Sequence, residues 1–127
     1  MLFRVTDKST GRVLAERASR ATTFFARLRG LMGRAQLADG EALHLAPCRA
    51  IHTLFMRFPV DVLFLSGEDS VLRALHRLSP WCVIRIHPRA LSVLELPPGT
   101  LARTSTEAGH RICFEPVGLK LEARNSK

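Results

Sequence analysis

The sequence predicts a mainly β domain with one helix (α+β), built as a curled sheet or partly open small barrel with the helix covering one end. Short runs of β-favouring residues recur along the chain, and turns containing Gly or Pro separate them. Only the stretch after Thr22 and Thr23 spaces its apolar residues as a helix does. With 127 residues, 46% of them hydrophobic and 24% charged, the chain is expected to fold as one domain, 1–127, without a linker and without disulfides or metal.

Leu2–Thr6 and Val13–Glu16 flank Asp7-Lys8-Ser9-Thr10-Gly11, and Gly11 can supply the positive φ of an opening hairpin. Thr22 or Thr23 caps the expected helix, which runs from about Thr23 to Met32. Its apolar face is Phe24, Leu28, Leu31 and Met32; Arg20, Arg27 and Arg34 lie off that face, and Gly33 is the stop. Gly30 in its last turn is unfavourable by about 1 kcal/mol relative to Ala, so it either ends the helix early or admits a close neighbour. Ala38–Glu41 is a turn and Ala42–Leu45 a strand. Ile51–Met56 and Val60–Leu65 are strands broken at Pro59, which fixes φ and cannot donate to a ladder. Ser66–Ser70 joins Leu65 to Val71–Leu78 in the clearest hairpin of the chain. After Ser79-Pro80-Trp81, a short Val83–Ile86 strand is expected. Ala90–Leu96 has the pattern of a strand buried on both faces, Glu95 being the exception, and Pro97-Pro98-Gly99 ends it. Arg111–Val117 and Leu119–Ala123 are the last strands.

Lys and Arg number 19 against 11 Asp and Glu, for a net charge of +8. The excess is mostly Arg, without a run of consecutive cations, a nucleic-acid motif or an aromatic stacking platform. A solvated surface therefore explains it better than a phosphate stripe, and weak nucleic-acid binding stands only as an alternative. Cys48, Cys82 and Cys113 are far apart and form no Cys-x-x-Cys pair, so they read as reduced, buried thiols. No leader-like apolar segment and no stretch of membrane-spanning length is visible, and a cytoplasmic location without membrane association is expected.

Cys48–Leu65 is the stretch around which the rest is organised, because His52, Thr53, Arg57 and Asp61 interrupt an apolar run and each needs a partner. Asp61 is expected to be compensated by Arg57, Arg29 or backbone donors. Arg29 and Glu95, each costly if buried alone, are expected to seek each other or Asp61, and Arg57 and Glu95 are expected to belong to a structural polar network. Together Arg29, His52, Thr53, Met56, Asp61 and Trp81 form the candidate pocket or rim of a site for an unknown small molecule or protein. The leading expectation is a binding or accessory module without an enzymatic role. The alternative is acid/base or hydrolytic chemistry by His52 and Asp61, since a carboxylate can orient an imidazole, although simple hairpin pairing sets them one strand length apart. No cofactor and no metal is expected: a metal site needs several of His44, Cys48, His52, His76, His87 and His110 to converge, and scattered surface histidines are the default. Cys48 after Pro47 reads as packing, no Gly-x-Ser-x-Gly elbow is present, and Gly30-Leu31-Met32-Gly33 lacks the spacing of a phosphate loop.

Four ordered motifs resemble the prokaryotic family known as domain of unknown function 192. They are Arg27-Leu28-Arg29-Gly30-Leu31-Met32-Gly33-Arg34, Pro47-Cys48, Ile51 through Leu65, and Val93-Leu94-Glu95-Leu96-Pro97-Pro98-Gly99. The resemblance covers about residues 20–115 and implies a largely β domain with no established activity. Where relatives usually close the last motif with Gly-Asp, this chain has Gly109-His110.

Overall fold

Asp7-Lys8-Ser9-Thr10-Gly11 turns the chain as the sequence predicts. In the computed structural model, Gly11 has φ 75° and its N–H donates to Asp7 O at 2.7 Å, closing the hairpin between β1 (Phe3–Asp7) and β2 (Arg12–Ala21). The structure describes residues 1–23, 26, 36–53, 56–81 and 85–117. The further strands are β3 (Glu41–Leu45), β4 (Ala50–Ile51), β5 (Val60–Leu65), β6 (Val71–Leu78), β7 (Arg85–Ile86), β8 (Ser92–Leu96) and β9 (Ile112–Pro116), with a short helix α1 (Thr100–Thr104) between the last two.

Seven strands form one sheet in the order β6-β5-β8-β3-β2-β1-β9, while β4 and β7 pair separately. All neighbours in the large sheet are antiparallel except β2 and β3. The sheet curls until its two ends meet at one joint, where Val71 N–H donates to His110 O at 2.8 Å and Ile112 N–H to Asp69 O at 2.9 Å around the Ser70–Arg111 bridge. The result is a half-barrel.

Curling gives the sheet two apolar layers. Val71 and Ile112, from its opposite ends, share one cluster with Val5, Leu63, Leu94 and Leu101, which places that cluster on the concave, inner side. The outer cluster contains Leu45, Ile51, Met56, Val62, Phe64 and Val93. β5 and β8 supply both, so every residue of each is buried; this is why Val60–Leu65 reads as a continuous apolar run rather than an alternating one.

β2 continues to Ala21, five residues beyond the expected Glu16. Of the expected Ile51–Met56 strand, Ile51 pairs within β4 and Thr53 lies outside the ladder, where it holds another loop; Leu54 and Phe55 lie outside the described residues. α1 has no counterpart among the elements expected from the sequence. Gly99, at φ 91°, turns the chain after Pro98, and Thr100 Oγ1 donates to Pro97 O at 2.7 Å. Most of the expected helix from Thr23 to Met32, and the expected Leu119–Ala123 strand, lie outside the described residues. Ala26 is helical and its N–H donates to Thr23 Oγ1 at 3.1 Å, the contact of an N-cap threonine. No helix among the described residues is long and apolar enough to cross a membrane.

Candidate functional site

Thr53, fully buried, ties two loops across the outer face. Its Oγ1 donates to Ser79 O at 2.7 Å, and its carbonyl accepts N–H groups from Trp81 at 2.8 Å and Met56 at 3.2 Å. The segment from Cys48 is anchored similarly. Cys48 N–H donates to Leu91 O and His87 N–H to Arg49 O, both at 2.9 Å, and the Cys48 thiol donates to Ala50 O. These bonds satisfy loop backbone that packs Ile51, Met56 and Phe58 onto the outer layer.

Glu95 enters that layer from the sheet. On β8 it pairs with Leu43 of β3 on one side and Val62 of β5 on the other, and both neighbours belong to the outer cluster. It is 3% exposed, and its Oε2 finds no hydrogen-bond partner among the described residues. Burial pushes its carboxyl up to about 8, so at neutral pH it is an uncharged acid carrying one O–H donor and one carbonyl acceptor.

Asp61 faces the other way. It pairs with Leu96, and alternation puts it with Leu63 on the inner side. Its Oδ1 accepts Arg77 N–H at 2.8 Å and its Oδ2 accepts Leu101 N–H at 2.9 Å. Leu101 is the second residue of α1, whose N-cap Gly99 offers no side chain, so a carboxylate from a distant strand satisfies a donor the helix leaves open. Of the compensations expected for Asp61, backbone donors are the ones found among the described residues.

Thr53, Met56 and Glu95 thus share the outer layer and its cover, with His52 half-buried in the same cover, whereas Asp61 belongs to the inner layer. Trp81 contributes its backbone N–H to the Thr53 clamp, but its side chain is 59% exposed. Arg57 is exposed, at a bend two residues before Pro59. Arg29 and Cys82 lie outside the described residues. Cys48 and Cys113 are free thiols and only half-buried.

His44 corrects the surface default for histidines. It is 5% exposed on β3, stacked on Phe114 with centroids 4.3 Å apart. Arg20 Nε donates to its Nδ1 at 3.0 Å, which puts the ring proton on Nε2. Burial, with the Arg20 charge adding to it, lowers its pKa to about 4. No sequence pattern marks it, because Ala42–Leu45 reads as an ordinary strand. His110 has a partner: its Nδ1 lies 2.8 Å from Oδ2 of fully buried Asp7, which also accepts from Thr106 Oγ1 at 2.9 Å. Burial opposes ionisation of Asp7, yet the hydrogen bonds from His110, Thr106 and Ser9 outweigh it and hold the carboxyl below its ordinary range. Among the described residues, no three His, Cys, Asp or Glu side chains converge as a metal site would require.

Comparison with known proteins agrees with this architecture. Residues 5–114 match the family model DUF192, "Uncharacterized ACR". A UPF0127 protein of Thermococcus sibiricus (strain DSM 12597 / MM 739) is 31% identical over 114 residues, spanning 86% of this chain and 73% of that protein. A crystal structure of a protein of unknown function from Novosphingobium aromaticivorans DSM 12444 superposes with TM-score 0.77 at 24% identity, covering 89% of this chain and 84% of that one. A second crystal structure, of a "putative transcription regulator" from Sinorhizobium meliloti 1021, gives TM-score 0.78 at 23% identity, covering 88% of this chain and 91% of that one. At these identities the structures speak for the fold alone.

Proposed function

We propose, from the premise that the chain belongs to the DUF192 family, whose members here carry no assigned activity, that it is a single-domain cytoplasmic module that binds a small uncharged molecule on the outer face of its half-barrel. One observation carries the reading: Glu95 holds a neutral carboxyl in an apolar layer with Oε2 unpartnered among the described residues. A buried polar atom without a partner is unfavourable by about 1–3 kcal/mol, and a ligand that hydrogen-bonds it removes that penalty. Met56, Phe58 and Ile51 supply apolar walls, and the Thr53 clamp fixes the loops that hold them. The ligand suited to this setting has an apolar body and one amide, hydroxyl or carbonyl group; a carboxylate would press charge into a layer with no described cation.

Asp61 is read as scaffold, since each of its oxygens accepts a backbone N–H. The acid/base alternative through His52 and Asp61 gains no support from that arrangement, and binding remains the preferred reading. Native mass spectrometry of the protein after incubation with a metabolite extract at pH 6.5 tests it. A bound small molecule that is lost in Glu95→Leu is expected. No adduct, or one retained unchanged by Glu95→Leu, contradicts the proposal.

A further inference from the structure

β2 is longer than its partner on one side. It pairs with β1 from Arg12 to Ala18 but with β3 only from Arg17 to Ala21; Glu16 N–H still donates to Gly40 O at 2.9 Å, and Arg12–Ala15 extend past the start of β3. α1 flanks that stretch through Arg12 Nη1, which donates to Arg103 O at 2.8 Å. Between them lies a cleft of about 420 Å³, lined by Arg12–Glu16, Gly40 and Arg103. This is the lower range of small-ligand sites.

The charge around the cleft is uneven. Arg12 and Arg103 line it, and a third guanidinium, that of Arg17, lies over Gly40: a Cβ built on Gly40 would stand 3.2 Å from Arg17 Nη2. The lining contains one carboxylate, Glu16, and Arg4 Nε already pairs with it at 3.1 Å. Among the described residues the Arg103 guanidinium has neither a hydrogen bond nor an ion pair, and that of Arg12 has the single bond to Arg103 O. Three cations therefore gather at a cavity whose own carboxylate is neutralised elsewhere.

We propose that this cleft is a second binding site, separate from the outer-face site, for a small organic anion presenting carboxylate or phosphate oxygens to Arg12 and Arg103. Guanidinium groups suit such oxygens because their forked N–H donors can bond two at once. A small anion fits better than an extended peptide added to the β2 edge, since register shifts between β1 and β2 twist that edge and spoil it as a template for another strand.

Amide NMR titrations with citrate and with inorganic phosphate, at constant ionic strength set by chloride, test the site. At least one probe should give saturable shifts at Val13, Leu14, Glu16 and Gly40 with a dissociation constant of roughly 1 mM or tighter. Arg103→Gln, whose side chain holds no described contact, should weaken that binding about tenfold while leaving the melting midpoint in place. The double variant Arg12→Gln/Arg103→Gln should abolish it. Absence of saturable shifts with both probes, shifts reproduced by chloride alone, or unaltered binding in Arg103→Gln each overturn the proposal.

Discussion

At Glu95 the fold accepts a carboxyl among leucine and valine side chains, and the setting makes stability depend on pH in a definite direction. The folded-state pKa is raised from 4.5 to about 8 by burial. Below 4.5 both folded and unfolded chains hold the proton. As pH rises the unfolded chain releases it first, so stability falls until the folded group also ionises near 8. Over that interval the parent is expected to lose on the order of 4 kcal/mol, and Glu95→Gln should remove most of the decline. Urea melts from pH 5 to 8 check this; parallel profiles for parent and variant contradict it. Asp61 is a fixed acceptor, each of its oxygens receiving a backbone N–H. Asp61→Asn is expected to destabilise by about 1–4 kcal/mol, because its amide can accept only one of the Arg77 and Leu101 N–H groups and turns an NH2 toward the other, and Asp61→Ala by more, because both lose their partner. Equal or higher melting midpoints for both variants would falsify that role. The sequence made Glu95 and Asp61 conspicuous as charges inside apolar runs. It could not show that they face opposite sides of the sheet, since that follows from the β5–β8 register. Nor could it show His44 to be buried, because a single polar residue in a short strand looks the same on either face.

Among the elements, those with local signals were legible. Val60–Leu65 and Val71–Leu78 appear with the expected bounds, joined by the polar turn at Ser66–Ser70, and the opening hairpin turns at Gly11. α1 was hidden because its support is distant: a five-residue helix is marginal by itself, and its open N–H is satisfied by Asp61, 40 residues earlier. The same holds for Thr53, which stands outside the ladder and bonds to Ser79, 26 residues later. Thr53→Val keeps the shape and removes that bond. It should destabilise by about 1–2 kcal/mol and speed hydrogen exchange at the Trp81 and Met56 amides, which donate to the Thr53 carbonyl. Unchanged exchange at both amides contradicts the clamp.

For the whole molecule, curling brings β6 and β9 from opposite ends of the sheet to one joint, and His110 sits in it, with its carbonyl receiving Val71 N–H and its ring meeting Asp7. Asp7, with its folded pKa depressed, adds stability that is present above its unfolded value of 3.8 and lost as pH falls through the lower folded value. His110→Ala should therefore lower the melting midpoint at pH 6 and raise hydrogen exchange at Val71 and Ile112. A half-barrel follows from many short strands with one helical stretch, but its closing joint depends on contacts between residues far apart in the chain, Val71 with His110 and His110 with Asp7. The half-barrel also creates the outer layer in which Glu95 is held, and the proposed binding role rests on that carboxyl being neutral there. A carbon-13 NMR titration of the Glu95 side-chain carboxyl in the folded protein tests this most directly. A midpoint near 8 is predicted; a midpoint near the ordinary 4.5 would mean that Glu95 is solvated or paired with a cation, and would contradict the account.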